Sequence, residues 1–370
     1  MKFTKLRKYG LGLLAASSLM LVAACGQETE APEVEAPATN EEANANGEDN
    51  SAENRQLVIY SNALNDARSA WLEELARDHG FDLSLLAIGG GDLPNRLITE
   101  RNNPIADVVF GLNHVAFETL KANDILLPFT PEWADEIPNG WNDPQGYYHS
   151  LTQLAITLVY NQAVLGEGTA PTDWTDLWER EEFHGQYFIN NNLGGATIRM
   201  AMAGILVRYR DDNGRYGISD EGWDAMRAFF QHGIVGSQDD FFQSLADETT
   251  PIVTLWTGGI IQREEQYGVS VGIVTPEIGA PFIIESIALV NGTNNQTAAE
   301  EFINWFGSAE IQTKWAQEFY QVPANSIARP NAPEEMERLL EGVFPQDIDW
   351  DFVTANIDDW MTKIELEIMP

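Results

Sequence analysis

Two stretches of this 370-residue chain carry residue types suited to gripping an oxygen-rich anion: Gly89-Gly90-Gly91-Asp92 and Asn191-Asn192-Leu193-Gly194-Gly195-Ala196-Thr197. Each joins a predicted strand to a predicted helix. Glycine lets backbone N–H groups approach a ligand closely, and the first turn of a helix leaves such groups unpaired at its positive dipole end. Thr197 adds a hydroxyl. A tight strand-to-helix turn uses the same glycines with no ligand, so both readings stand at this level. Ser61 and Asn62 follow the first predicted strand and either join such a site or cap the next helix. Trp256 and Thr257 end a later strand; the indole suits stacking on a ligand face or an alkyl ammonium, and core packing explains it equally well. Glu285 lies inside another strand, where a carboxylate holds an amine or hydroxyls or is simply exposed.

The elements that must position these residues follow from periodicity. Strands are predicted at 57–60, 81–88 and 106–110, alternating with helices at 65–79, 92–101 and 113–121. That alternation indicates parallel pairing with right-handed crossovers, an α/β layered domain. A second α/β unit follows, with strands at 153–160, 186–190, 252–256, 269–274 and 284–290 and helices at 196–209, 220–232 and 239–247. The last part is helical over 297–306, 309–319, 333–340 and a final run ending near 368. A body of this length fits two units of ordinary domain size.

Composition narrows the function. Acidic residues number 57 against 21 basic, a formal charge of -36, and Lys2, Lys5, Arg7 and Lys8 account for four of the basic ones. Without that leader the balance is 57 to 17, or -40. A body this acidic repels nucleic acid, so no nucleic-acid partner is expected. The chain has no Gly-x-Ser-x-Gly elbow, no Walker loop and no His-Glu-x-x-His, and Gly89–Gly91 lacks the spaced third glycine of a dinucleotide fingerprint. The five histidines have no ligand spacing, so no catalytic residues, metal ligands or cofactor are expected.

The N-terminus reads as an export signal over 1–24. A basic start precedes the apolar run Leu11–Ala24, too short for an ordinary membrane span. It closes on Val22-Ala23-Ala24-Cys25, which resembles the bacterial lipobox, and Cys25 is the one cysteine of the chain. Lipidation there would hold the protein at the extracytoplasmic face of the cell membrane, each buried methylene adding about 0.8 kcal/mol. Residues 25–54 are rich in Glu, Ala, Pro and Asn, with no aromatic residue, and read as an acidic disordered tether.

Taken in order, several segments resemble the extracellular family 1 solute-binding lipoproteins of bacterial ABC importers, the branch that includes ferric-ion, sugar-phosphate, thiamine and aminoethylphosphonate binders. They are Leu57–Ser61, Ala106–Gly111, Thr157–Asn161 with Pro171-Thr172-Asp173-Trp174-Thr175-Asp176-Leu177, and Asn304–Gln312 with Val322–Asn325. The resemblance implies a two-lobed periplasmic-binding-protein type II fold, each lobe a mainly parallel sheet flanked by helices. Lobe 1 is expected over 55–152 and 277–310, lobe 2 over 153–276 and 311–370.

It also implies a small polar solute held in the interlobe cleft and delivered to a membrane permease by a non-enzymatic, monomeric protein. An extracellular enzyme, or a sensor domain presenting ligand to a membrane receptor, is the alternative. On this reading Ser61, Asn62, Gly90, Gly91, Asp92, Asn191, Gly195, Ala196 and Thr197 face the ligand, joined by Trp256, Thr257 and Glu285, with Tyr160 on the cleft floor or merely packed. Ferric-binding members resemble one another in an adjacent tyrosine pair where this chain has Trp256-Thr257; its own pair, Tyr147-Tyr148, falls elsewhere. An oxyanion-bearing solute such as a phosphorylated compound or phosphonate therefore fits better than direct binding of Fe(III), which favours hard anionic oxygens.

Overall fold

The computed structural model describes residues 55–237 and 241–370. The expected signal segment and tether, with Cys25, lie outside the described residues. The expected alternation appears first as three parallel strands, in the order Phe81–Ala87, Arg55–Ser61 and Val108–Asn113. Phe282–Val290 joins them antiparallel and pairs on its other side with the long strand His149–Asn161. Apolar residues alternate to both faces of this sheet. Leu57 and Ile59 pack with Phe302, Phe306 and Trp315 on one side, while Tyr60 and Val109 pack with Leu97 and Phe117 on the other. Helices therefore cover both faces, as parallel sheets require.

His149–Asn161 is longer than the predicted strand because it belongs to two sheets. Its residues 149–155 pair with Phe282–Val290, and residues 156–160 pair with Ile252–Trp256. Ile252–Trp256 runs parallel to Tyr187–Asn190, which pairs with Ile234–Gly236, so the second half has its own small sheet. Its core gathers Trp174, Met202, Leu206, Trp223, Phe229 and Trp360. The strand Val271–Ile273 returns beside residues 159–161, and the chain then crosses back to begin Phe282–Val290 beside Ala155. Two lobes are thus joined by extended strands, a geometry suited to hinge motion.

One expected grouping differs. Residues 311–370 are expected in the second lobe, yet Ile311, Trp315 and Phe319 of the helix Ala309–Phe319 pack in the first-lobe core. Trp315 packs edge-on against Trp71 at 5.6 Å and Phe306 at 5.5 Å. The final helix Trp350–Glu367 does pack in the second-lobe core, through Val353, Ile357 and Ile364.

Candidate functional site

A cavity of about 230 Å³ opens between the two lobes. From the first lobe Asn62, Gly90 and Asp92 line it; from the second, Gly195, Ala196, Thr197 and Trp256 do so, with Glu285 on the strand shared with the hinge. The two glycine turns named from sequence therefore meet across one space. They nearly touch: a methyl group placed on Gly91 would stand 1.8 Å from the carbonyl oxygen of Gly194, and one on Gly90 would stand 3.0 Å from Ala196 Cβ. Gly91 is thus a contact between lobes rather than a lining residue, and the lobes are closed.

The turns are not equivalent electrostatically. The helix Asp92–Thr99 begins with an acid, and Asp92 lines the cavity. The helix Ala196–Leu206 has no acid in its first turn and no side-chain cap, because Gly195 is its N-cap residue. Its leading N–H groups are free to meet an anion. Asn192 tightens the turn by accepting the Gly194 N–H at 3.0 Å and, through its carbonyl, the Gly195 N–H at 3.0 Å.

The strongest positive group at the cavity is Arg68, which sequence reasoning missed. It stands one turn into the helix Asp66–Asp78, whose N-cap Asn65 accepts the Arg68 N–H at 2.9 Å. Only 8% of the residue is exposed, and the guanidinium lies over Trp315 and Phe319 at 5.5 and 5.3 Å. Its Nη1 donates to Ala63 O at 2.8 Å, while its Nε has no partner. Burial pulls Arg68 below its ordinary pKa, and the nearby Glu285 carboxylate pushes back. Asn62 likewise has a buried, unpaired Oδ1 beside the cavity.

Glu285 sits at an irregularity where Phe282–Val290 shifts register against His149–Asn161, a device that re-aims a side chain. The Thr152 hydroxyl donates to its Oε2 at 3.0 Å. Burial raises its pKa to about 7, with Arg68 and that hydroxyl pulling the other way. Trp256 borders the cavity with Arg263 stacked on it at 4.4 Å. Burial holds Arg263 down to about 10, and repulsion from Arg68 adds to that. The cavity therefore gathers two positive features, Arg68 from the first lobe and the Gly195 turn from the second, together with the carboxyl groups of Asp92 and Glu285, and Glu285 lies within electrostatic reach of Arg68.

Besides Gly91, four residues named from sequence stand apart from the cavity. Ser61 is fully buried and its Oγ accepts the Ala63 N–H at 3.0 Å, a turn-forming role. Thr257, also fully buried, accepts the Ala155 N–H at 3.1 Å and ties the end of its strand to the hinge. Tyr160 packs in the second-lobe core against Gly272, where an added methyl would stand 2.1 Å from its ring. Asn191 is exposed, its N–H donating to Gly236 O at 2.8 Å, whereas its neighbours Asn190 and Asn192 line the cavity. The tyrosine pair is also distant in role: Tyr148 stacks on Phe117 at 5.2 Å and donates to Glu118 at 2.7 Å, inside the first lobe. Among the described residues no group of three or more His, Cys, Asp or Glu could hold a metal ion.

Residues 103–356 match the family described as bacterial extracellular solute-binding protein. The chain belongs to that family. Its members bind small-molecule solutes outside the cytoplasm and are not enzymes. A Sinorhizobium fredii protein assigned as an ABC transporter periplasmic-binding protein is 36% identical over 313 residues, covering 84% of this chain and 86% of its own length. A Salmonella typhimurium periplasmic protein assigned as 2-aminoethylphosphonate-binding is 26% identical over 333 residues, covering 84% of this chain and 93% of its own. The fold matches that of a ferric-binding protein from Campylobacter jejuni with a TM-score of 0.69 at 19% identity, over 84% of this chain and 99% of that one. This solute-binding protein thus has the two-lobed architecture of periplasmic binding proteins, and among its described residues no helix is long and apolar enough to cross a membrane.

Proposed function

We propose that this solute-binding protein captures a small zwitterionic oxyanion, of the aminophosphonate type, and delivers it as a monomer to an ABC permease. The observation that carries this reading is Arg68: an almost wholly buried arginine that lines the cavity from the first lobe, while the second lobe presents an uncapped helix start. A phosphonate or phosphate would satisfy both at once, and charge-assisted bonds of that kind are the strong ones. Glu285 and Asp92 then receive the ligand's ammonium group. The relative assigned to 2-aminoethylphosphonate supports the same chemistry. The protein's overall negative charge does not prevent this, because distant surface charges are screened within about 8 Å at physiological salt.

Closure has a defined role here. Donors from both lobes meet the solute only when Gly91 and Gly194 are in contact, so ligand favours the closed form. We assign 311–324 to the first lobe with 55–152 and 282–310, leaving 156–274 and the final helix to the second.

The test is thermal unfolding and calorimetric titration of the protein with 2-aminoethylphosphonate. At about 100 times the dissociation constant, stabilisation of about 2.7 kcal/mol is expected with no product formed. The absence of any shift with phosphonates or phosphates would sink the proposal, and turnover would favour an enzyme.

Glu285 makes a second prediction. Its carboxyl titrates near pH 7 in the ligand-free protein, above the ordinary carboxylate value, so the negative form that receives an ammonium is lost as pH falls through 7. Affinity for 2-aminoethylphosphonate should fall roughly tenfold from pH 8 to pH 6 beyond the ligand's own titration. Glu285→Gln should bind weakly at both values and flatten the difference. Equal pH profiles for the two proteins would remove Glu285 from the site.

The same reading places the protein on the membrane through Cys25. Cys25→Ser should move it from the membrane fraction to the medium or periplasm and abolish incorporation of labelled palmitate. Continued labelling of the variant would place the anchor elsewhere.

A further inference from the structure

Beside the cleft lies a second, smaller cavity of about 30 Å³, walled by Phe188, Asn190, Ile198, Phe241 and Thr254. Thr197 and Trp256 border both spaces, so it is an annex of the ligand cavity. By this measure roughly 10–15 Å³ holds one water, which gives room for about two methyl-sized groups. Its walls are mostly hydrocarbon, and Phe188 and Phe241 stack at 6.0 Å with 26° between planes. An apolar group seated there would gain dispersion contacts with Phe188, Ile198, Phe241 and Trp256.

The annex is not slack that Trp256 could swing to fill. Arg263 lies over the indole, and its Nη1 donates to Gly259 O at 3.0 Å. A methyl group on Gly259 would stand 2.6 Å from that nitrogen and 2.7 Å from the indole ring, so indole, guanidinium and backbone are packed together. The wall is held in place, and the space beside it persists.

We propose that the annex admits a short alkyl branch carried next to the solute's anionic head, so that the solute is a branched rather than a wholly linear aminophosphonate. The branch position follows from Thr197, which borders both the annex and the turn that receives the head. This inference rests on the oxyanion reading above. It makes Phe188, Phe241 and Thr254 determinants of specificity, although none of them touches a charged group of the ligand.

The experiment is calorimetric titration of the full chain with 2-aminoethylphosphonate and with each enantiomer of its congener methylated on the carbon that bears phosphorus. One enantiomer should bind about fourfold more tightly than the parent, the worth of one buried methylene. In Thr254→Ile, where a β-branched side chain suits the strand and fills the annex, the ratio should drop to one or below. Should that variant fail to fold, Phe188→Leu widens the annex and should shift preference towards an ethyl branch by a similar factor. Both enantiomers binding no better than the parent would overturn the annex assignment while leaving the oxyanion reading intact. Failure of all three ligands to bind would overturn both.

Discussion

Replacing Arg68 by Met is expected to lower affinity for 2-aminoethylphosphonate by between about 30-fold and 4000-fold, the 2–5 kcal/mol range for truncating one partner of a buried charge pair. Methionine keeps hydrocarbon packed against Trp315 and Phe319, so the first-lobe core should survive. The ligand-free protein should melt near the parental temperature, because the lost bond to Ala63 O and the lost ring contacts are offset by relief of the cost of burying a charge. Arg68→Lys should recover part of the affinity, since an ammonium keeps the charge and loses the planar fork. Titration calorimetry beside thermal unfolding separates the outcomes. Unchanged affinity in Arg68→Met would remove the positive wall from the site.

Gly91→Ala should weaken binding between about 5- and 150-fold without damaging the fold. The added carbon would stand 1.8 Å from Gly194 O in the closed form, and overpacking of this kind costs about 1–3 kcal/mol. Gly91 has φ -86 and ψ -30, a backbone conformation alanine adopts readily, so the open form has no reason to suffer. The substitution therefore acts on the equilibrium between forms, reducing apparent affinity by the fraction of closed protein it removes. Small-angle scattering should show the parental protein contracting on ligand addition and the variant contracting less or not at all. Full contraction with parental affinity would mean that these two turns do not govern closure.

The turns at Gly90 and Gly195 were legible because their signal is local: glycines directly after an apolar run and directly before a helical period. The α/β alternation was legible for the same reason. Arg68 was not, since an arginine one turn into a helix reads as an ordinary surface residue. Its burial comes from Trp315 and Phe319, which lie far along the chain and reach the first lobe only through tertiary packing. That long-range docking also explains why a lobe boundary expected at 310/311 falls inside the helix Ala309–Phe319.

Tyr160 shows a different limit. His149–Asn161 is buried along almost its whole length, so the alternation that tells a cleft face from a core face is missing. Asn191 shows the opposite case, where neighbouring asparagines differ: Asn190 and Asn192 reach the cavity and Asn191 points to solvent. Sequence offered three similar residues, and the path of the turn chose among them. Ser61 and Thr257 carry hydroxyls of the right type at the right strand ends, but backbone N–H groups already occupy them.

The most direct test is a crystal structure of the protein with 2-aminoethylphosphonate. The phosphonate oxygens are predicted within hydrogen-bonding distance of the Arg68 guanidinium and the first N–H groups of the helix Ala196–Leu206, with the amine towards Glu285. A solute bound outside the interlobe cavity, or one whose anionic group avoids Arg68, would contradict the account.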